Sequence, residues 1–193
     1  MNLRLPTACC LLVAVALGGL AVSSFAQAKP AEKPTVTSVL DHSLSGVEKE
    51  FVPAAEAMPA DKYSFAPSQG EFKGVRNFAS QVKHVGAVNY ILGAAILGEK
   101  VPAAAGEGED GPANVKSKDE IVKYLKDSFA YLHKAFGTIN EGNQVTSIKA
   151  PWGDAPTTRL ALAVIGVGHP FDHYGQLVEY LRMNGIIPPA SRT

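Results

Sequence analysis

Two histidines that stand four residues apart, His169 and His173, are the clearest candidates for chemistry in this sequence. On a helix, side chains four residues apart lie on one face, one turn from each other. Two imidazole nitrogens at that spacing can reach a single metal ion at about 2.0–2.1 Å. Gln176 and Tyr180 continue the same face as a polar row, which a bundle buries only when its polar groups are satisfied. The spacing alone is a weak signal, because H-x-x-x-H often arises by chance.

His84 is the natural third ligand for a metal site built on that pair. It lies in a different predicted helix, on the face opposite that helix's main apolar stripe, so it faces either a pocket or a second packing contact. The alternative for each of these residues is an ordinary packed or surface histidine. His133 flanks the apolar stripe of its helix and His42 lies away from its stripe, and we expect both to be solvated.

Matches to other catalytic motifs fail on chemical grounds. Residues 106–111 match G-x-G-x-x-G by letter, but no strand precedes them and their acidic side chains would repel a pyrophosphate, so we predict a loop. A zincin needs glutamate directly after its first histidine, where this chain has Pro170. The sequence contains no Glu-x-x-His pair, which argues against a ferritin-like di-iron site.

Helices must position these histidines, because the apolar residues recur every three to four positions in four segments. The segments cover about residues 35–58, 74–97, 117–139 and 157–184. Ser117 and Glu120 fit a capping box, and Gly185 followed by two prolines fits a helix end. Pro53 predicts a kink, and Pro170 predicts a kink or a fresh helix start. No useful length alternates with period two, so we predict an all-α fold, a four-helix bundle.

The first 28 residues have the pattern of a secretory signal peptide. Arg4 precedes an apolar run, and small residues follow up to Ala26-Gln27-Ala28, which is an A-x-A cleavage site. The alternative is an uncleaved membrane anchor, since the run is nearly long enough to span a bilayer. We predict a signal peptide at 1–28, a linker at 29–34 and a helical domain at 35–193, exported to the periplasm or secreted.

Charge and cysteine content exclude several classes of partner and site. The 18 Lys and Arg residues balance 18 Asp and Glu residues, so no net charge draws the chain to nucleic acid or, after signal cleavage, to a membrane. Both cysteines, Cys9 and Cys10, lie in the predicted signal peptide. The mature chain therefore has no disulfide, cysteine nucleophile, cysteine-ligated metal or covalently attached haem.

The last predicted helix resembles the last helix of the DinB-like family. Members show H-x-x-x-H-x-G-Q, then an apolar helix, an arginine, an Asn-Gly stop and prolines. Here these residues are His169, His173, Gly175, Gln176, Arg182, Asn184, Gly185, Pro188 and Pro189. Upstream, Phe65-Ala66-Pro67 and a helix with His84 near its midpoint are similar to the family's second-helix histidine. The resemblance covers about residues 35–192.

The resemblance implies a DinB-like four-helix bundle with a divalent metal ion, zinc or nickel, held by three histidines. The implied ligands are His84, His169 and His173, with Asp172, Gln176 and Tyr180 behind them. Three neutral nitrogen ligands leave positions open for water or substrate, as in a catalytic site rather than a structural one. Some relatives are thiol-dependent transferases or isomerases, and many have no known activity. Pro170 departs from the family pattern and would shift His169 relative to His173.

Two functions of different classes fit these residues. The first is an exported, divalent-metal-binding DinB-like protein that acts on a small molecule as a metal-dependent transferase or hydrolase. The second is a non-catalytic helical binding or interaction module, forming a homodimer through small residues of the second helix. These residues are Gly86, Ala87, Gly93, Ala94 and Ala95. Packing inside the bundle is the alternative role for them, and the sequence does not decide whether the protein is an enzyme.

Overall fold

Four helices and one short hairpin make up the computed structural model, which describes residues 33–192. The helices are α1 (Val36–Ala57), α2 (Phe78–Leu97), α3 (Lys118–Phe136) and α4 (Arg159–Met183). The strands are β1 (Ser147–Lys149) and β2 (Pro156–Thr158), and single 3-10 turns lie at Ala60–Lys62, Ala103–Ala105 and Pro189–Ser191. The predicted four-helix fold is confirmed, whereas the predicted signal peptide at 1–28 lies outside the described residues. Within residues 33–192 no helix combines the length and hydropathy needed to cross a bilayer.

Side-chain caps set where the helices begin. Ser117 and Glu120 form the predicted capping box of α3, and Thr35 caps α1 in the same way with Ser38. The carboxamide of Asn77 accepts a hydrogen bond from the backbone N–H of Ser80 at 2.8 Å. This cap starts α2 at Phe78 rather than near residue 74, where its apolar pattern begins.

The sequence does not predict the antiparallel hairpin that lies between α3 and α4. Ser147 pairs with Thr158, and Lys149 pairs with Pro156. Strands of three residues are too short to show an alternating apolar pattern, so no periodicity reveals them. The hairpin leads directly into α4, whose first turn is capped by the hydroxyl of Thr158.

Each helix packs mainly against two others, so the bundle closes around one apolar core. α1 packs against α3 and α4, and α2 also packs against α3 and α4. α2 and α4 run antiparallel, because Arg76 is close to Tyr180 at one end and Ile96 is close to Arg159 at the other. The largest fully buried side chains include Phe51, Phe78, Phe129, Phe136, Leu44, Leu92 and Leu125. The α2–α4 contact matters most here, because it carries the three candidate histidines.

The small residues of α2 serve packing inside the bundle. A Cβ on Gly86 would lie 2.4 Å from the ring of Tyr124, and one on Gly93 would lie 2.7 Å from the ring of Tyr131. These glycines let α3 approach α2 closely, which was the alternative to a dimer contact. Ala87 and Ala94 are buried as well, whereas Ala95 is half-buried.

α4 continues as one α-helix through Pro170, so the predicted fresh start at that residue is wrong. A proline inside a helix removes one backbone hydrogen bond and costs about 3 kcal/mol. Pro170 is buried, and its neighbours on the same face, Gly166 and His173, are buried too. Packing on both sides of the proline therefore holds the helix together. α1 likewise continues through Pro53.

His42 is exposed, as predicted, whereas His133 is half-buried and contacts another helix. Nδ1 of His133 lies 2.5 Å from a carboxylate oxygen of Asp41, and Nε2 of His133 lies 3.2 Å from a carboxylate oxygen of Glu48. Both carboxylates belong to α1, so this imidazole links α3 to α1. The pattern of α3 alone does not reveal the contact, because both partners are on another helix.

Candidate metal centre

The antiparallel packing of α2 and α4 brings three histidines together. His84 projects from α2, while His169 and His173 project from successive turns of α4. Nε2 of His84 lies 3.1 Å from Nε2 of His169, and the three candidate ligand nitrogens all lie within 4.8 Å of one another. The ring centroids are 4.5 to 5.0 Å apart. The cluster that the sequence predicts is therefore present.

The loop between α2 and α3 fixes the His84 ring. Nδ1 of His84 lies 2.8 Å from the backbone carbonyl oxygen of Glu109, so Nδ1–H donates to that oxygen. In a neutral imidazole the other nitrogen, Nε2, then carries a free lone pair. A backbone carbonyl behind a histidine is a common way to orient a metal ligand. The Glu109 carbonyl thus prepares Nε2 of His84 to face His169.

The geometry of the cluster fits a divalent metal ion. Two nitrogens bound at about 2.05 Å in a tetrahedral site are about 3.3 Å apart, which is close to the observed separation of the two Nε2 atoms. Imidazole nitrogens are good ligands for zinc, nickel and copper and do not by themselves select among them. Nδ1 of His169 is buried and has no hydrogen-bond partner within residues 33–192. The three residues could hold a metal ion, and the donor set leaves its identity open.

Burial keeps two of the three imidazoles neutral. It lowers the pKa of His169 to about 3, with further lowering by His173, His84 and Arg76. Burial also lowers the pKa of His173 to about 4; His84 and Arg76 lower it further, and Asp172 opposes the shift. A neutral ring keeps a lone pair for a metal ion, whereas a protonated ring does not. Both rings are thus in the ligating form at neutral pH.

Two glutamines connect the cluster to α2. Nε2 of Gln176 lies 3.4 Å from Nδ1 of His173 and 3.4 Å from a carboxylate oxygen of Asp172. Oε1 of Gln176 accepts a hydrogen bond from Nε2 of Gln81 at 2.6 Å. Gln81 is 3 % exposed, and its own Oε1 has no hydrogen-bond partner within residues 33–192. Hydrogen bonds through the two amides therefore connect the His173 ring to the buried side of α2.

An open cleft of about 520 Å³ leads to the His173 ring. Its lining residues are Gly74, Val75, Arg76, Gln81, Asp110, His173 and Gln176. Arg76 and Asp110 form an ion pair at 3.5 Å across this cleft. The hydroxyl of Tyr180 donates a hydrogen bond to the backbone carbonyl of Arg76 at 3.0 Å, which anchors the arginine to α4. Of the three histidines, His173 is the one that lines this cleft.

Comparison with known families agrees with the fold and with the placement of the histidines. The sequence profile of the DinB superfamily matches residues 43–177, a range that includes all three histidines. This chain belongs to the DinB superfamily. No curated protein matches it.

Solved structures share the fold of this DinB-superfamily chain at low sequence identity. A DinB-like protein from Bacillus subtilis superposes with a TM-score of 0.60 at 16% identity, covering 80% of this chain and 99% of its own. A conserved protein from Enterococcus faecalis gives 0.62 at 17% identity, covering 78% and 98%. A DinB-like protein from Bacillus cereus gives 0.60 at 15% identity, covering 80% and 96%. These likenesses concern the fold alone.

The residues predicted to lie behind the ligands differ in their placement. Gln176 contacts His173 directly, and Asp172 contacts Gln176 rather than a histidine. Tyr180 holds the backbone of Arg76. The sequence did not reveal the roles of Glu109, Arg76, Gln81 and Asp110. The one signal in the sequence for the role of Glu109 is the set of glycines around the acidic loop. These glycines permit the close turn that brings Glu109 to His84.

Proposed function

We propose that this chain binds one divalent metal ion, zinc or nickel, through His84, His169 and His173. The observation that carries the proposal is the approach of three imidazole nitrogens to within 4.8 Å, beside an open cleft that His173 lines. Three imidazole donors that leave a coordination position open are typical of catalytic rather than structural metal sites.

We also propose that the loaded protein acts on a small molecule, as a transferase or a hydrolase. A divalent ion held by three imidazoles supplies Lewis acidity to a water molecule or substrate atom at an open coordination position. Glu109 orients His84, and Gln176 lies behind His173. Arg76 places a positive charge beside the cluster. The cleft of about 520 Å³ has room for a small molecule.

The test of the metal site is metal content by mass spectrometry after the protein is saturated with zinc or nickel and freed of excess ion. We expect about one ion per chain in the parent protein. His84→Ala, His169→Ala and His173→Ala should each lose most of the bound metal, because two imidazoles bind far more weakly than three. Transferase and hydrolase assays on loaded and chelated protein then test turnover.

His42→Ala is the matched control, because it removes an exposed histidine without touching the cluster. It should retain the metal content of the parent protein. Metal retained after loss of any two of the three cluster histidines would contradict the assignment. Full catalytic activity in metal-free protein would contradict the metal-dependent reaction and leave only a binding role.

A further inference from the structure

We infer that the cleft beside the histidines binds a small hydroxycarboxylate, with Arg76 holding the carboxylate and Gln81 contacting the hydroxyl. The inference deepens the proposed function, on which it rests, by naming the class of ligand that would lie next to the metal ion. Neither residue belongs to the three proposed metal ligands. The binding of the ligand and the binding of the metal can therefore be tested separately.

Arg76 is well placed to hold an anion. Its guanidinium lines the cleft with His173, and its side chain is 38% exposed, so it is accessible from solvent. The Tyr180 hydroxyl fixes the Arg76 backbone through its carbonyl oxygen. The planar fork of N–H donors in a guanidinium matches the two oxygens of a carboxylate. A carboxylate held there would direct the rest of its molecule toward the histidines.

Asp110 already presents a carboxylate to Arg76, but weakly. Within residues 33–192 it is the only ion-pair partner of that guanidinium, at 3.5 Å, and its side chain is 85% exposed. A solvated pair of this kind contributes little stability, so an incoming anion can displace it. The aspartate therefore marks where a carboxylate binds and competes with the ligand for the same position.

Gln81 supplies the second contact. Its side chain is almost fully buried beside the cleft, and its Oε1 atom has no hydrogen-bond partner within residues 33–192. Buried polar atoms normally have a partner, because leaving one unsatisfied is costly. The Gln81 amide nitrogen already donates to Gln176, so the free Oε1 atom needs a donor, which a hydroxyl group supplies. A carboxylate that carries a hydroxyl meets both residues.

The experiment measures dissociation constants of lactate and propionate, two acids that differ in the hydroxyl. Calorimetry would use protein purified from expression of the full chain, once loaded with zinc and once treated with a chelator. We expect lactate to bind about tenfold more tightly than propionate in both forms. Arg76→Gln should weaken lactate binding by about tenfold or more, since it removes a hydrogen-bonded charge.

Three further variants separate the contacts. Lys73→Gln removes an exposed positive charge from the same segment, outside the cleft, and should leave lactate binding unchanged. Gln81→Leu should abolish the preference for lactate over propionate while leaving propionate binding unchanged. Asp110→Asn removes the competing carboxylate and should tighten lactate binding by about threefold. Because Asp110 is exposed, that variant tests the site without disturbing the core.

Equal weakening by Arg76→Gln and Lys73→Gln would overturn the inference, because it would show only a general effect of charge. Equal binding of lactate and propionate to the parent protein would overturn the role of Gln81. If the protein binds zinc but Arg76→Gln does not weaken lactate binding, this inference is contradicted. The proposed metal site is then unaffected. Failure to bind zinc would contradict the metal site, and lactate titration of the metal-free protein would still test the cleft.

Discussion

At the scale of single residues, the histidine cluster combines buried neutral rings with one oriented lone pair. Burial disfavours the charged form of His169 and His173 and lowers the pKa of both. The hydrogen bond from His84 to the Glu109 carbonyl selects the tautomer that faces the other rings. A site arranged in this way needs no proton release from these two imidazoles before it can bind a metal ion at neutral pH.

The same burial predicts how the stability of the metal-free protein depends on pH. The pKa of His169 falls from 6.5 to about 3 on folding, and that of His173 falls to about 4. Below about pH 6.5 these two histidines bind protons in the unfolded chain but not in the folded chain. The free energy of unfolding therefore decreases as the pH falls toward 4. The double variant His169→Gln/His173→Gln should show a shallower decrease, measured by urea unfolding at about pH 7.5 and about pH 5.

His42→Gln is the comparison for this experiment, because His42 is exposed and lies outside the cluster. It should keep the pH dependence of the parent protein. An unchanged slope in the double variant would show that other groups govern acid stability.

At the scale of elements, the loop from Gly106 to Gly111 acts on the metal site from outside the helices. Gly106 has φ 81°, and a Cβ there would lie 2.5 Å from the backbone carbon of Gly111. Only glycine permits this closure, which brings the Glu109 carbonyl to His84. The loop is thus a structural support for a ligand, although its sequence resembles a nucleotide-binding motif by letter.

Gly106→Ala should therefore weaken both the fold and the metal site. We expect a loss of about 3 kcal/mol in the free energy of unfolding, from the positive φ and the backbone clash together. Zinc affinity should fall by about tenfold or more, because His84 loses its orienting partner. Urea unfolding and zinc titration measure the two effects.

Gly108→Ala is the matched control within the same loop. Gly108 also has a positive φ, 63°, but a Cβ there would meet nothing within 4 Å. The Gly108→Ala substitution should lower the free energy of unfolding by about 1 kcal/mol and leave zinc affinity unchanged. Equal loss of zinc affinity in the two variants would contradict the supporting role of the loop.

At the scale of the whole molecule, the chain combines a helical domain with a predicted export signal. The family profile covers residues 43–177 and therefore begins after the predicted signal peptide. We propose that the protein is exported and that its mature form begins at Lys29. The metal ion would then be acquired from the periplasm or the medium, where low-molecular-weight thiols are scarce, which favours hydrolysis over thiol-dependent transfer as the reaction to assay first.

Mass spectrometry of the protein recovered outside the cytoplasm checks the cleavage site. We expect a mature chain that starts at Lys29, and accumulation of uncleaved precursor in Ala28→Glu, because signal cleavage requires small residues at the A-x-A positions. Gln27→Glu changes the tolerant middle position and should be processed like the parent chain. Recovery of only full-length protein from the parent sequence would contradict the proposal.

The sequence by itself determined the four helices, named His84, His169 and His173 as candidate ligands, and placed two of the three on one helix face. Apolar spacing and capping residues act over a few positions, so they predict the four helices, and the i, i+4 spacing places His169 and His173 on one face of α4. These properties are local and are therefore visible in a single sequence.

Only the tertiary structure decided what faces that pair. The antiparallel register of α2 against α4 brings His84 to the pair, and the loop closure adds Glu109 and Asp110. The rotation of one helix against another depends on the packing of many distant side chains at once, including Gly86 against Tyr124. No short sequence pattern encodes the combined effect of so many distant contacts. For the same reason, the contact of His133 with α1 and the cleft at Arg76 are apparent only in the folded chain.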